Sequence, residues 1–430
     1  MAKLRLNSAF RLFCKDGRRF IVLLAAGIFF AGAGSLFAGG GQASGGSSDK
    51  PVNLTVWMGS WWADGVPKIV EAYKKAAPNV NLTIETLPIN GYFDNAATTI
   101  LGGGGPDLLA IDAYMMGTFF EKGLLRPWDD KIKNLDLDDF AGVKNAGIYQ
   151  GKRYGIPYRA SGSILYYNKT LFDKAGVSYP QEGWTWDDLR SIAQKLTVPS
   201  EQQYGYGIAA GQKDTGNVFE VLNPVVWAFG GDYLNKDQTQ ANLTDPNTIK
   251  AVRFWSDLYL KDKVVPPGSI NYSITADVMP LFIGNKVAML ISGDQANSEF
   301  SKYPDLKFGF TVLPKGPTGT GGYMWTVPVT AKNPDAAFAF ALWFLEPENL
   351  GNLTVRIPAR VSATKYGAWN TPVYQTILKG ALSGRLNPTI PQWAEMQKII
   401  TVELQNILQG AKTVEQAMED ANRQCNALLK

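Results

Sequence analysis

Residues able to carry out covalent chemistry are scarce in this 430-residue sequence. It contains no His, which excludes a Ser-His-Asp triad, a Cys-His pair and an imidazole-ligated zinc site. Cys14 precedes an apolar leader, so Cys425 is alone once the leader is removed, and neither a disulfide nor a thiolate metal site can form. Cys425 shares an apolar helix face with Ala417 and Ala421, which predicts a buried thiol. Carboxylate chemistry and noncovalent binding remain.

Two motifs that would indicate a phosphate or a metal ion are incomplete. Residues Gly102–Gly105 lack the Lys-Ser or Lys-Thr of a phosphate-binding loop and precede a predicted strand instead of a helix. The acidic stretch that begins at Asp136 has Ala141 and Gly147 where a calcium loop needs Gly and Glu. We therefore predict no cofactor and no metal site.

The first 38 residues have the pattern of a secretory signal peptide. An uncharged run over residues 20–38 follows a basic start, and small residues lie near Ala38. The alternative is an uncleaved anchor, since this run approaches the roughly 20 residues that span a bilayer. We predict that residues 1–38 are removed and that residues 39–50, rich in Gly and Ser, form a flexible tether. The basic residues of the start are Lys3, Arg5, Arg11, Lys15, Arg18 and Arg19.

The positive charge of the chain belongs to this leader. The whole sequence has a net charge of +4. Removing residues 1–38 removes six basic residues and one acidic residue, which leaves 36 basic and 37 acidic residues, a net charge of −1. The mature chain therefore has no general electrostatic attraction for nucleic acid, and we predict no nucleic-acid partner.

The mature chain begins with a β-α-β-α-β pattern. Apolar and polar residues alternate from Val52 and again from Val80, and a short apolar strand ends at Asp112. Helical stretches lie between these strands, so we predict a doubly wound α/β sheet. Ligands of such sheets bind beyond the carboxyl ends of the strands. The residues that follow the first and third strands are therefore candidate ligand contacts: Ser60, Trp61, Trp62, Asp112 and Tyr114.

From Gly155 onward the sequence resembles a known family. The stretch GKRYGIPYRASGSILYYNKTLFDKAG is similar to the signature of extracellular solute-binding proteins of carbohydrate ABC transporters, the family that includes maltose-binding protein. Further similar segments occur in the same order over roughly residues 52 to 430. They are GGGGPDLLAID, EKGLLRPW, TWDDL, AFGGDYL, GNKVAMLISGDQ, LPKGPTG, IPARVSA and the closing helices from IPQWAEM.

The resemblance implies two α/β lobes joined by crossing hinge strands, with a sugar bound between them. The implied N-terminal lobe comprises residues 51–159 and 326–357, and the C-terminal lobe residues 160–325 and 358–430. The implied partners are a small-molecule sugar and the membrane permease and ATPase subunits of an ABC importer. We expect an exported monomer, in the periplasm or at the outer face of the cytoplasmic membrane, that performs no chemistry.

Candidate sugar contacts follow from the same resemblance, because sugars combine apolar C–H faces with polar rims. The departure at Ser161, where maltose-binding members often carry a carboxylate, leaves the sugar's identity open. Arg360 has a salt bridge within the hinge as its alternative role. Trp61 is favoured slightly over Trp62 for the cleft. The candidates from the crossings and the second lobe are Arg159, Ser161, Asn223, Trp227, Asp294, Tyr323, Trp325 and Arg360.

Two other functions remain open from the sequence. An exported carbohydrate-active enzyme would need a carboxylate pair, which Asp112, Glu220 and Asp294 can supply in principle. A receptor for a non-sugar solute, such as a polyamine or iron, is the other alternative. A polyamine site needs several acidic residues, whereas the candidates are mostly neutral and aromatic.

Overall fold

The alternating residues that begin at Val52 form the first strand of a five-stranded sheet, as the sequence predicts. The computed structural model describes residues 51–88, 91–140, 142–382 and 384–430, all within the unit Asp49–Lys430. The predicted signal peptide (residues 1–38) and tether (residues 39–50) lie outside the described residues.

Most strands are short, and they fall in three main sheets and one small hairpin. They are β1 (Val52–Gly59), β2 (Val80–Leu87), β3 (Leu108–Asp112), β4 (Ile148–Tyr149), β5 (Lys152–Arg153), β6 (Ile156–Pro157), β7 (Ser161–Gly162), β8 (Ile164–Asn168), β9 (Met289–Ser292), β10 (Phe308–Thr311), β11 (Gly319–Gly321), β12 (Tyr323–Thr326) and β13 (Arg385–Leu386).

The helices cover these sheets and form most of the C-terminal third. They are α1 (Val66–Ala76), α2 (Tyr92–Leu101), α3 (Met116–Glu121), α4 (Lys169–Ala175), α5 (Trp186–Leu196), α6 (Thr215–Ala228), α7 (Pro246–Leu260), α8 (Met279–Ile283), α9 (Asp294–Phe300), α10 (Pro334–Leu345), α11 (Pro347–Leu353), α12 (Pro372–Leu382), α13 (Trp393–Leu408) and α14 (Val414–Leu428). No helix of the described residues is both long and apolar enough to cross a membrane.

The first lobe is built on the sheet with strand order β2-β1-β3-β12-β6. Strands β1, β2 and β3 run parallel, with Val56 opposite both Ile84 and Leu108. Strand β12 pairs antiparallel with β3, which brings Tyr323 opposite Asp112 at the carboxyl end of β3. The predicted β-α-β-α-β order is therefore confirmed, and β12 adds a strand from a distant part of the chain.

The second lobe contains two three-stranded sheets, with orders β10-β8-β9 and β13-β11-β7. The apolar run of β8 is fully inside the first of these, and it pairs antiparallel with both neighbours. Strand β7, at Ser161, lies just before it in the other sheet. The two-lobe α/β fold that the sequence predicts is the fold observed.

Three chain segments cross between the lobes side by side. The backbone N–H groups of Tyr158 and Arg159 donate to the carbonyl oxygen of Tyr323 at 3.0 and 3.3 Å, and Ala160 donates to Ile357 at 3.0 Å. Gly322 has φ +153°, and a Cβ there would lie 1.8 Å from the carbonyl oxygen of Arg159, so the close approach requires glycine. The predicted boundary at 325/326 falls inside β12, a strand of the first sheet.

The C-terminal helices follow the sequence pattern closely. Helix α14 begins with a capping box in which Thr413 and Gln416 bond each other's backbone N–H groups. Cys425 on this helix is completely buried, as predicted, and burial raises the pKa of its thiol to about 12. The thiolate that would act as a nucleophile is therefore scarce at neutral pH.

Candidate ligand-binding cleft

A polar cavity of about 500 Å³ lies where β3, the crossing segments and the second-lobe helices meet. Strand β3 contributes the residues after its carboxyl end, α6 and α13 contribute one helix face each, and β11 contributes backbone. Most of the residues that line it carry a hydroxyl, amide or charged group. The polar side chains are those of Asp112, Tyr114, Arg159, Ser161, Ser163, Lys213, Thr215, Asn217, Glu220, Asn223, Gln295, Thr320, Asn387, Gln397 and Lys398.

Asp112 is the carboxylate at the end of β3. It caps the turn that follows, accepting from the backbone N–H of Tyr114 at 3.5 Å. Burial raises the pKa of Asp112 to about 7, although the neighbouring Arg159, two backbone N–H groups and the Tyr323 hydroxyl act to lower it. Because this pKa lies near neutrality, the cavity can present either a neutral or a charged carboxyl group to a ligand.

Arg159 occupies the first crossing and links the lobes electrostatically. Its guanidinium donates to Asp294 at 3.1 Å and lies 5.5 Å from the Tyr323 ring centroid. Burial alone would lower the pKa of Arg159, but the charge of Asp294 and the acidic groups of Tyr323 and Asp112 raise it. Its buried Nε has no hydrogen-bond partner among the described residues, so one donor is left for a ligand.

Asp294 is a structural partner and not a cavity-lining residue. It lies at the start of α9 with only 3% of its surface exposed. Its second oxygen is 3.6 Å from the guanidinium of Arg356, which belongs to the third crossing. The prediction that Asp294 touches the ligand is therefore not supported by its placement, because two arginines occupy its oxygens.

Helix α6 supplies the polar floor of the second lobe. Glu220 and Asn223 are three residues apart, so they project from the same helix face. Glu220 accepts from the Ser163 hydroxyl at 3.2 Å, and the amide nitrogen of Asn223 donates to Asn387 at 2.5 Å. The side-chain oxygen of Asn223 is buried without a partner in the described part of the chain. A buried acceptor of this kind favours a ligand that donates a hydrogen bond.

The adjacent tryptophans of the first loop differ in exposure. Trp62 is completely buried and packs edge-on against Tyr158 at a centroid distance of 5.3 Å. Trp61 is partly exposed, covers Gly59 and lies 5.2 Å from the ring of Tyr323. Neither ring lines the cavity. Trp62 is therefore a core residue and not the ligand contact that the sequence predicted. Trp61 and Tyr323 lie behind the residues that line the cavity.

Ser60 and Tyr114 complete the predicted first-lobe contacts, with opposite outcomes. Ser60 begins the short 3-10 helix Ser60–Gly65 and is exposed away from the cavity. Tyr114 lines the cavity and has 37% of its surface exposed. It supplies the aromatic surface of this lining.

Two tryptophans that were predicted to contact the ligand, one in the second crossing and one in the second lobe, lie outside the cavity lining. Trp325 is opposite Ala110, two residues deeper in the sheet than Tyr323. It is buried and stacks on Tyr158, with the ring centroids 4.2 Å apart. Trp227 is buried and lies 5.2 Å from the guanidinium of Arg385.

Arg360 takes its alternative role. Its Nε donates to Asp139 at 2.7 Å, and its NH1 group donates to the backbone oxygen of Leu345 at 2.9 Å. With its donors held in this way and 9% of its surface exposed, Arg360 makes a salt bridge instead of contacting the cavity.

Several lining residues were missed by the sequence reasoning. Gln397 and Lys398 lie on α13 beside its apolar stripe, and Asn387 follows β13. Thr320 neighbours the predicted second crossing, which is a signal that could have identified it. The α13 residues carry no such signal, because a polar position beside an apolar stripe ordinarily faces solvent.

Two α/β lobes with a polar cavity at their junction define a class of protein that encloses a small polar solute. A sequence model of the bacterial extracellular solute-binding proteins matches residues 59–350. The chain belongs to that family, as the sequence resemblance predicted. It is a family of binding proteins.

Known relatives agree with this assignment. A putative binding protein of Brucella abortus is 27% identical over 380 residues, which cover 84% of this chain and 89% of the relative. The mannitol-binding protein of Pseudomonas aeruginosa is 28% identical and covers 64% of each chain.

Solved structures are similar over most of the chain. A solute-binding protein of Thermotoga lettingae, bound with α-D-tagatose, has a TM-score of 0.75 at 25% identity, covering 88% of this chain and 100% of that one. The cyclic α-maltosyl-1,6-maltose binding protein of Arthrobacter globiformis has a TM-score of 0.77 at 23% identity, covering 88% and 99%. The second likeness bears on the fold.

Proposed function

We propose that this protein binds a sugar or a closely related polyol in the cavity and delivers it to the permease of an ABC importer. The single observation that carries the proposal is the lining, in which hydroxyls, amides, a guanidinium and a near-neutral carboxyl group converge from both lobes. Such groups match the alternating donors and acceptors of vicinal hydroxyls. The family and the relatives named for mannitol and sugars support the same ligand class.

The proposed contacts are a subset of those predicted from the sequence. Asp112, Arg159 and Ser161 would hold the ligand from the first lobe and the crossing, and Asn223 from the second lobe, with Tyr114 against an apolar sugar face. The free Nε of Arg159 and the free oxygen of Asn223 are the buried groups that a ligand would satisfy. Satisfying them turns an unfavourable burial into a favourable contact.

The mechanism we propose is hinge closure without chemistry. The three hydrogen-bonded crossings are the proposed hinge, and the lobe boundaries predicted from the sequence are retained apart from β12, which pairs in the first sheet. Closure around the ligand would present a shape that the permease recognises. The protein would act as an exported monomer in the periplasm or at the outer face of the membrane, with the permease and ATPase on separate chains.

An exported glycosidase is the weaker alternative. Retaining and inverting glycosidases need two carboxyl groups that both face the scissile bond. Asp294 is excluded from such a pair by its burial between two arginines. Glu220 accepts from Ser163 within the cavity lining. Asp112 and Glu220 both line the cavity, and because the family is one of binding proteins we propose that they bind hydroxyls and cleave nothing.

The test is calorimetric titration of the mature protein with mannitol, tagatose, glucose, galactose and their oligosaccharides, with spermidine and ferric citrate for the non-sugar alternatives. We expect at least one sugar or polyol to bind, and to raise the free energy of unfolding by about 2.7 kcal/mol at 100 times its Kd. Small-angle scattering should show a smaller radius with ligand. Binding of spermidine or iron alone would contradict the proposal, and chromatographic detection of sugar cleavage would favour the enzyme.

A further inference from the structure

Met115 differs from the other methionines of the described structure in its exposure. The sequence contains nine methionines, of which Met1 lies outside the described residues. Met115 is partly exposed, whereas each of the other seven has at most 1% of its surface exposed. Those seven are Met58, Met116, Met279, Met289, Met324, Met396 and Met418. Since oxidation of a thioether depends on its exposure, Met115 is the methionine that a dissolved oxidant reaches in the folded protein.

Met115 lies where the first lobe meets the second, outside the three crossings. It ends the turn Ala113–Met115 that follows β3, and it lines the cavity of about 500 Å³. The turn lies beside α13 of the second lobe. At Gly117, two residues further on, a Cβ would be 2.7 Å from the Cα of Pro391, so the lobes are in direct contact here. An atom added to the Met115 side chain is therefore added next to the opposite lobe.

The neighbouring methionine provides a matched comparison. Met116 directly follows Met115 and is completely buried, so one of the two residues packs in the core and the other remains open to the cavity. Met115 also packs against the core with the rest of its surface, a role that a Leu of similar volume can fill. Leu has no sulfur to oxidise. The variants Met115→Leu and Met116→Leu therefore separate packing from oxidation.

The cysteine of the described residues is protected from oxidants. Cys425, the one cysteine in that part of the chain, is completely buried. Burial raises the pKa of its thiol to about 12, so the thiolate that reacts with peroxides is scarce at neutral pH. A peroxide that enters the cavity therefore meets Met115 as its accessible sulfur.

We propose that Met115 is a site of reversible oxidation by hydroperoxides and that its oxidation weakens ligand binding. The thioether sulfur attacks one peroxide oxygen, so an S–O bond forms as the O–O bond breaks. The sulfur gives up two electrons, and the proton of the transferred oxygen moves to the departing oxygen. With hydrogen peroxide the products are methionine sulfoxide and water. The effect on binding rests on the proposed function, whereas the oxidation itself does not.

The sulfoxide changes the polarity of the contact between the lobes. It turns a flexible apolar side chain into a polar one that is larger by one oxygen. Closure of the lobes around a ligand removes water from the cavity, so the sulfoxide loses hydrogen bonds that only a well-placed donor can replace. This cost arises in the liganded state, so the affinity falls. The same closure shields Met115, so a bound ligand should slow its oxidation.

The first measurement is mass spectrometry of the mature protein after treatment with hydrogen peroxide, without ligand and with mannitol, tagatose or glucose. Met115 should gain one oxygen about tenfold faster than any of the seven buried methionines, because those are exposed only when the structure opens locally. A probe that binds should slow the oxidation of Met115.

The second measurement is calorimetric titration of the same probes against each protein before and after oxidation. The wild type should lose about tenfold in affinity, as burial of one poorly paired polar group would give, and enzymatic reduction of the sulfoxide should restore it. Met115→Leu should not respond to the treatment, and Met116→Leu should respond as the wild type does. Met115→Gln places a polar group of similar length there. It should bind more weakly without peroxide, and it replaces Met115→Leu if that variant does not fold.

Three results would overturn the inference. Oxidation of Met115 that is no faster than that of the buried methionines would remove the site. An unchanged or higher affinity after oxidation would mean that Gln397 and Lys398 of α13 pair with the sulfoxide, and the proposed effect on binding would be wrong. An equal loss of affinity in treated Met115→Leu would assign the effect to another residue. If no probe binds, the proposed function and the effect on binding fail together, while mass spectrometry still decides the oxidation site.

Discussion

The two walls of the cavity are built from different residue types. The first-lobe wall is supported from behind by an aromatic cluster, made of Trp61, Tyr92, Phe93, Tyr114 and Tyr323, whose neighbouring ring centroids are 5.0 to 6.5 Å apart. The second-lobe wall is an amide floor, made of Asn223, Asn387 and Gln397 with Glu220. Only Tyr114 of the aromatic cluster reaches the cavity lining.

The two walls have different roles: the aromatic cluster makes the loops rigid, and the amide floor recognises the ligand. Aromatic rings contribute large buried areas and fix the loops that carry Asp112 and Tyr114. Amides and hydroxyls bury less apolar area but form directional hydrogen bonds. Each can remain unpaired until a ligand binds. We therefore expect substitutions in the first-lobe wall to reduce stability and substitutions in the amide floor to reduce affinity.

The largest expected effect is that of Trp62→Ala on folding. Its ring is completely buried against Tyr158, so its removal should lower the free energy of unfolding by about 3–5 kcal/mol. Affinity for the ligand should change little where the variant is folded. Denaturant unfolding and calorimetric titration measure the two quantities.

Trp61→Ala is the matched variant, because the neighbouring ring is only partly buried. We expect a loss of about 1–2 kcal/mol in the free energy of unfolding. Equal losses for the two variants would contradict the assignment of Trp62 to the core and Trp61 to the cluster behind the cavity.

Asp294→Ala comes next. It leaves Arg159 and Arg356, with 14% and 21% of their side chains exposed, without their shared carboxylate. Removing one partner of a buried ion pair should lower the free energy of unfolding by about 3 kcal/mol. This is the lower end of the usual range, because both arginines are partly exposed to solvent. Asp335→Ala removes an exposed pair with Lys131 and should cost no more than about 1 kcal/mol. If both variants unfold alike, the ion network does not stabilise the hinge.

The sequence predicted the framework better than the contacts. Alternation and helical spacing identified β1, β2, β3, α13 and α14, because local periodicity records which face is buried. It did not distinguish Tyr323 from Trp325, since both lie on the same face of β12 and only their depth opposite β3 separates them. That depth is set by pairing with a strand some 210 residues earlier, which no local pattern contains.

The same reason explains the amide floor. Asn223 was predicted from the family resemblance, whereas Gln397 on α13 was missed, and both are buried polar residues. A single Gln beside an apolar stripe is read as solvent-facing unless another part of the chain covers it. The cover comes from the junction of the lobes, so tertiary structure alone identifies this contact.

Asn223→Ala should have the opposite effect to Trp62→Ala: it should lower the affinity for the ligand more than the stability. It removes a buried oxygen that has no partner but also the hydrogen bond that Asn223 donates to Asn387, so the free energy of unfolding should change by no more than about 1 kcal/mol. Affinity for a ligand should fall by about 1–3 kcal/mol, because the acceptor that the ligand satisfies is gone. Asn352→Ala, exposed and outside the cavity, is the control for titration. Unchanged affinity in Asn223→Ala would remove the amide floor from the site.

The smallest expected effect is the pH dependence that Asp112, at the end of β3, gives to the stability of the protein. Burial raises the pKa of this carboxyl group from 3.8 to about 7 in the folded protein, whereas the unfolded chain keeps the ordinary value. The folded state therefore holds the proton more tightly. Its contribution to stability is complete below about pH 4 and is lost as the pH rises through 7, with a slope of at most about 1.4 kcal/mol per pH unit.

Asp112→Asn, which stays neutral, isolates this contribution. The difference in free energy of unfolding between the wild type and Asp112→Asn should change in favour of the variant from pH 4.5 to 8 and then level off. Asp335→Asn, at an exposed carboxylate whose pKa is lowered by Lys131, should give a flat difference over the same range, because it is charged throughout. A flat difference for Asp112→Asn as well would mean that Arg159 and the backbone donors stabilise the charged form fully. Asp112 would then be a permanent acceptor for a sugar hydroxyl, and the groups able to both donate and accept would be the amides of the floor and the hydroxyls of the lining.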